Sequence, residues 1–251
     1  MTSRNILLEY NKAMKAAVDI ILPAYHEQEN IAAVIAGINK EVKAAHNIKI
    51  ILQDRKDPTF PVIKKLQKKN RRIKVYFTPD GVGLAKALKT GFQKVTTPLV
   101  VEMMSDSSDD PSSIDRMIKK INRGYDLVCA SRNIRGGKRL HAPLLKKMLS
   151  FGGSVSLQYL TGLKTSDATN AFKCFRRDLL KEIKLESNRG FELPLELTVK
   201  AHYLGKKIGE VPTVWRERKN GNSHFKIFNL LPHYLRWYFW SIEKNVTRML
   251  T

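Results

Sequence analysis

Short apolar, β-rich runs alternate with segments of helical periodicity along most of this chain, and that alternation constrains the fold more than any other feature. Residues 18–25 form an apolar run that ends at Pro23 and Ala24. Residues 29–43 place Ile31, Val34, Ile35, Ile38 and Val42 at the spacing of a helix with one buried face. Residues 48–52, 73–77, 99–104 and 126–130 read as further strands, and 62–69 and 83–95 as further helices. Strand and helix in this order predict a parallel sheet with helices on both faces. With 251 residues and 43% hydrophobic content, the chain can bury one large α/β core and a small extension. After Arg132 the pattern changes. Residues 133–141 are a Gly-rich basic loop, 144–160 a helix, 171–175 a short strand, 191–203 a helix ended by Gly205, and 208–215 a strand.

Segment 98–111, PLVVEMMSDSSDDP, carries the most chemistry. An apolar run stops at an acidic cluster, Asp106, Asp109 and Asp110. In open α/β sheets ligands bind beyond the carboxyl ends of the strands. Carboxylates there can hold a hard divalent cation that neutralises a diphosphate. Asp110 and Pro111 also fit the N-cap and first position of a helix over 112–120, and both readings can hold at once. The surroundings are basic: 45 Lys and Arg against 23 Asp and Glu give a net charge of +22. Such a chain attracts polyanions, whether nucleic acid, an anionic membrane or phosphorylated substrates.

Several classes are disfavoured. The first strand leads into PAYHEQEN rather than a Gly-rich turn, Gly81-x-Gly83 lacks a third glycine, and no Walker motif is present. Pro111 and Met117 stand where a calcium loop of the EF-hand type needs Gly and Glu. The histidines show no metal-ligand spacing. Cys129 and Cys174 each sit in an apolar run, which predicts buried free thiols and a reducing compartment. Residues 1–17 lack a signal-peptide pattern, and no window reads as a bilayer span, so the expectation is a cytoplasmic protein, soluble or peripheral.

Several segments, in order, carry a resemblance. They are ILPAYHEQENI at the first strand, LQDRKDPT after the second, GLAKALKTGF before the fourth and MSDSSDDP after it. DLVCASRNIRGG, TSDATNAFKCFRRDLL, RGFELPLELTVKAHYLGKKIGEVPTVWRER and GNSHFK follow. Together the chain resembles a family-2 glycosyltransferase of GT-A fold, in the branch of dolichol-phosphate and polyprenyl-phosphate mannosyl- and glucosyltransferases, over about residues 18–228. The resemblance implies an N-terminal helical extension (1–17), a GT-A domain (18–224) and an amphipathic aromatic and basic C-terminal helical segment (225–251). It implies that Pro23, Ala24, Tyr25, Glu27 and Asp54 line the nucleoside pocket. Lys86, Ser105 and Asp106 would sit at the donor diphosphate. Arg132, Lys146, Ser150 and Arg218 fall where the mannosyltransferases bind the acceptor phosphate, and Gly190, Phe191 and Glu192 match the acceptor-side segment. Asp106, with Asp109 or Asp110 as further ligands, would hold Mg²⁺ or Mn²⁺. The sequence departs from the family at Met104, which replaces the first acid of Asp-x-Asp, and a thioether is a poor Mg²⁺ ligand. It departs also at Gln53, Ser108, Lys146 and His224.

The expected reaction is inverting transfer of a hexose from a nucleotide-diphosphate sugar, GDP-mannose or a UDP-sugar, to a polyprenyl or dolichyl phosphate. A phosphate acceptor is already ionised and needs cationic groups rather than a base. A sugar hydroxyl acceptor would need a carboxylate base, for which Glu192 and Glu196 are the candidates. An inactive GT-A scaffold and a nucleic-acid-binding protein are the alternatives, and the latter lacks any recognition signature. FKIFNLLPHYLRWYFWSIEK (225–244) combines interfacial aromatics with basic residues. It predicts either a helix on an anionic bilayer or one packed on the core. Since the branch often continues into membrane-spanning helices, the chain is expected to work peripherally or with a membrane-spanning partner subunit.

Overall fold

A computed structural model describes residues 18–79, 83–141, 144–218 and 227–250. The expected extension over 1–17, the side chain of Lys146, and His224 and Phe225 lie outside the described residues. The main sheet has seven strands in the order β3-β2-β1-β4-β7-β5-β8. They are β1 (Val18–Pro23), β2 (His46–Leu52), β3 (Ile73–Phe77), β4 (Leu99–Glu102), β5 (Leu127–Ser131), β7 (Lys173–Arg176) and β8 (Ile208–Pro212). All run parallel except β7, which pairs antiparallel with both β4 and β5. A second, two-stranded parallel sheet joins β6 (Lys138–Leu140) to β9 (Val214–Arg216). The strand expected over 208–215 is therefore two strands in different sheets, divided at Thr213, and the basic loop contains β6.

Helices α1 (Ile31–Glu41), α2 (Thr59–Lys69), α3 (Leu84–Gln93) and α4 (Ser113–Asn122) fill the crossovers. The alternation along β1 explains the layering. Ile20 and Leu22 enter one core with Ile38 of α1 and Met117 of α4, while Ile21 enters the other with Leu88 of α3. Strands covered on both faces read as continuous apolar runs, as β1 does. Gly91 lets α3 approach closely, since a Cβ there would lie 2.4 Å from Ile21 Cγ2. The second core also receives α7 (Leu193–Tyr203), α5 (Leu144–Thr161) and α8 (Ile227–Leu250). A short helix, α6 (Leu179–Glu182), follows β7. Helix α4 begins at Ser113 rather than at Pro111; Asp110 Oδ1 accepts the Ser112 N–H at 3.0 Å in the preceding turn. Both cysteines are free and buried.

The sheet contains charged groups. Asp19 and Lys49 pair at 2.7 Å, and Asp19 also accepts the N–H groups of Thr96 and Thr97. Glu102, at the end of β4, opposes Lys173 of β7, and both its carboxylate oxygens are buried without a hydrogen-bond partner. Burial pushes Glu102 up to about 8, against the pull of Lys173. The folded state therefore holds a proton that the unfolded chain releases above about pH 4.3, so stability declines as pH rises through this window. Replacing Glu102 by Gln should flatten that decline, with a difference on the order of a few kcal/mol between acidic and mildly alkaline pH. Urea midpoints at both pH values measure it, and an unchanged slope would show that Glu102 is ionised in the fold.

Candidate active site

A cavity of about 940 Å³ opens at the carboxyl ends of β1, β2, β4 and β5. Pro23, Ala24, Tyr25 and Glu27 line it from the end of β1, and Gln53 from the end of β2. Met104, Ser105 and Asp106 follow β4, and Arg132 follows β5. The β1 and β4 ends are joined by the Ser105 hydroxyl, which donates to the Pro23 carbonyl at 2.6 Å. The acidic turn is held by its own side chains. Asp109 Oδ2 accepts the Met104 N–H at 3.1 Å, and Asp106 Oδ1 accepts the Ser108 N–H at 3.1 Å. Ser107 sits at a φ of 62°, and the Arg216 N–H donates to the Ser108 carbonyl at 2.9 Å, tying the turn to β9.

Beyond β9, Arg218 Nη2 donates to Glu27 Oε1 at 2.8 Å and to Asp106 Oδ2 at 3.0 Å. Burial raises the Glu27 pKa, opposed by the Asn30 amide and by Arg218. Asp109, fully enclosed and with Oδ1 unpartnered, is pushed up to about 7 by burial and by the charge on Asp106.

The second charged cluster lies across the cavity. Arg132 donates from its backbone N–H and Nε to Asp167 Oδ2, both at 2.8 Å, and from Nη2 to Oδ1 at 2.7 Å. Its Nη2 also reaches Ser150 Oγ of α5 at 3.3 Å. Burial works against ionised Asp167, yet Arg132 outweighs it and lowers its pKa. Arg139 of β6 approaches the same carboxylate at 3.6 Å.

The structure thus brings together Pro23, Ala24, Tyr25, Glu27, Ser105, Asp106, Arg132, Ser150 and Arg218. Asp54 and Lys86 are exposed and outside the cavity lining. Asp54 turns onto the Lys56 N–H, while its neighbour Gln53 faces the cavity; around Lys86 the lining is Gly83, Leu84 and Ala87. Asp109 and Asp110, the further metal ligands expected, are outside the cavity lining and accept the N–H groups of Met104 and Ser112. Sequence reasoning missed Arg139, Arg189 and Glu217, which also line the cavity, and Asp167, which holds Arg132. Asp167 is a lone acid between small polar residues, and Gly136-Gly137 ahead of Arg139 was the one local signal of a tight backbone approach.

Glu192 and Glu196 are occupied. Glu192 accepts the N–H groups of Arg189 and Gly190, and Glu196 accepts those of Glu186 and Ser187 and pairs with Lys200. For a cation, the donor set is thin. Among the described residues no three His, Cys, Asp or Glu side chains converge, and Met104 offers no oxygen beside Asp106.

The mostly parallel sheet flanked by helices matches that of GT-A glycosyltransferases. Solved glucosyl-3-phosphoglycerate synthase from Mycobacterium tuberculosis in complex with UDP superposes with a TM-score of 0.66, at 17% identity, covering 94% of this chain and 83% of that one. Its complex with Mn²⁺, UDP-glucose and phosphoglyceric acid gives 0.64 at 16% identity, covering 94% and 81%. The pattern of glycosyl transferase family 2 matches residues 19–184, and the chain belongs to that family. Among curated relatives, the dolichol-phosphate mannosyltransferase of Pyrococcus furiosus is 28% identical over 234 residues, 90% of this chain and 65% of the relative. The undecaprenyl-phosphate mannosyltransferase of Micrococcus luteus is 33% identical over 150 residues, 58% of this chain and 61% of the relative. The polyprenol monophosphomannose synthase of Mycolicibacterium smegmatis is 26% identical over 235 residues, 91% and 88%. The chain thus spans less than two thirds of the length of the first two relatives.

Asp167 is the hinge of the second cluster. Its removal leaves two largely buried guanidinium groups facing each other without a counter-charge. Asp167→Ala should cost about 3–5 kcal/mol in urea denaturation. A loss under about 1 kcal/mol would show that the arginines are solvated in the fold.

Proposed function

We propose that this chain transfers a hexose, with inversion, from a nucleotide-diphosphate sugar to a polyprenyl or dolichyl phosphate at the cytoplasmic face of a membrane. One observation carries the reading. The cavity that holds the charged strand-end clusters continues into an apolar limb between α5 and α8, lined by Met148, Leu149, Leu157, Leu231 and Leu235. A charged head joined to an apolar limb suits a lipid phosphate beside a nucleotide sugar. A sugar acceptor would leave the limb unused, and the two glutamates offered as its base are already bound to backbone N–H groups.

In this reading the acceptor phosphate lies by Arg132 and Ser150 and the donor diphosphate by Asp106; Arg218, expected on the acceptor phosphate, is reassigned to the donor side because it pairs with Glu27 and Asp106. An acceptor phosphate oxygen attacks the anomeric carbon. A new bond forms between that carbon and oxygen as the bond to the diphosphate breaks, and the nucleoside diphosphate leaves with the electron pair. No proton is transferred, so no general base is needed. Arg218 sits where it can stabilise the charge that grows on the leaving group, and Arg132 can grip the acceptor phosphate with two N–H groups. Asp106 is the residue that would hold a divalent cation, with few further protein ligands beside it among the described residues. When bound, the cation would neutralise diphosphate charge.

The test is transfer from GDP-mannose and UDP-sugars to a short isoprenyl phosphate. Asp106→Ala should lower transfer by roughly 100-fold or more while the protein stays folded. Arg132→Ala should raise the acceptor KM and leave donor binding intact; Arg218→Ala should lower kcat. Wild-type rates in all three variants, or no transfer from any donor, would reject the proposal.

Membrane contact has its own support. Met148, Phe151 and Tyr159 of α5 and Phe239 and Met249 of α8 are exposed on a chain of net charge +22. No described helix is long and apolar enough to cross a membrane. The aromatic face expected on the bilayer is divided. Trp237 is buried in the core and donates to Ser187, whereas Phe239 faces outward. The protein should co-sediment with anionic vesicles, less so at high salt. Phe239→Glu should weaken this without unfolding the chain, and retention in the supernatant with anionic and neutral vesicles alike would refute it. A membrane-spanning partner subunit is an open element of the same proposal.

A further inference from the structure

Arg139 was not among the residues expected at the site, yet it lines the cavity beside Arg132. Its position is built by the local backbone. Gly137 packs against the end of β5, where a Cβ would come within 2.6 Å of the Ser131 carbonyl oxygen. β6 then pairs with β9, placing Arg139 opposite Trp215. The side chain runs inward and is only 6% exposed.

Its charge is poorly matched. A guanidinium has five N–H donors and no acceptor. Arg139 uses them on two neutral groups, donating from Nη1 to Asn133 Oδ1 and from Nη2 to Ser150 Oγ at 3.4 Å. The carboxylate it pairs with, Asp167, is 3.6 Å away and already takes three hydrogen bonds from Arg132. Two guanidinium groups thus share one carboxylate, and among the described residues the cluster holds one positive charge more than it holds negative. Burial and the charge on Arg132 depress the Arg139 pKa to about 10, which still leaves it protonated at neutral pH. Holding an unmatched charge out of water is unfavourable unless a ligand supplies the opposite charge.

We propose that Arg139 is a specificity-determining residue that completes, with Arg132 and Ser150, a cradle for a doubly charged phosphate monoester. This rests on the proposed lipid-phosphate acceptor. A monoester has a second pKa near 6 and is largely a dianion at neutral pH, so a second guanidinium favours it over a singly charged or neutral acceptor headgroup.

The test compares citronellyl phosphate with citronellyl sulfate, which has the same tail and a tetrahedral but singly charged head. Affinities are measured by calorimetry on the full chain, with GDP and UDP as donor-side controls. Wild type should prefer the phosphate. Arg139→Gln should weaken phosphate binding roughly tenfold, the effect of one charged hydrogen bond, and shrink the phosphate-to-sulfate preference, with nucleotide affinity unchanged. Arg139→Lys should restore part of that preference.

If wild type binds citronellyl phosphate and Arg139→Gln binds it equally well, or if both heads weaken equally, the assignment of Arg139 is wrong and the acceptor reading stands. A parallel loss of nucleotide affinity would place Arg139 in the donor site or the fold and equally overturns it. If wild type binds nucleotides but no citronellyl phosphate, the acceptor reading itself fails.

Discussion

The site depends on where the sheet changes direction. β1 has β2 on one side and β4 on the other, and the helices that follow β1 and β4, α1 and α4, pack in one core on the same face of the sheet. The loops that leave these two strands turn side by side past the carboxyl ends, where ligands bind in open α/β sheets. Pro23 closes β1 and Asp106 follows β4 at that point, and the Ser105–Pro23 hydrogen bond holds the two ends together. β7 then enters antiparallel between β4 and β5. That insertion separates the Asp106 cluster from the Arg132 cluster by one strand, giving the cavity two charged walls.

The walls differ in charge. Arg218 bridges Glu27 and Asp106, two carboxylates to one guanidinium. Arg132 and Arg139 face Asp167, two guanidinium groups to one carboxylate. The first wall suits a group carried with a cation; the second suits a bare anion. A reaction that joins a diphosphate-linked sugar to a phosphate needs both surroundings at a short separation. β9 links them mechanically, since its backbone holds the Asp106 turn at Ser108 and pairs with the strand that carries Arg139.

Much of the parallel framework was legible in the sequence, because β1, β2, β4 and α1 advertise themselves through period and apolar content. β7 was visible as a strand, but four residues carry no signal of direction, and its buried Lys173 reads as a surface residue until the Ala168 carbonyl is seen accepting from it. β6 and β9, three residues each, were hidden in a basic loop and at the end of a longer apparent strand. Asp106, Arg132, Ser150 and Arg218, to which the family resemblance pointed, all line the cavity. Asp54, placed in the nucleoside pocket by the resemblance, is outside the cavity lining, which its neighbour Gln53 joins instead. Trp237 was readable in principle. Tyr234, Trp237 and Ser241 share one helical stripe, and that stripe meets the core.

In the proposed reaction one cavity joins a sugar to a phosphate oxygen. Phosphorus NMR of a single reaction follows both substrates at once, with a nucleotide sugar as donor and a short isoprenyl phosphate as acceptor. The account predicts that the acceptor's monoester resonance is replaced by a phosphodiester resonance while the donor's diphosphate becomes free nucleoside diphosphate in equal amount. Consumption of the donor with the monoester resonance unchanged would show that the sugar goes to a hydroxyl or to water, and would contradict it.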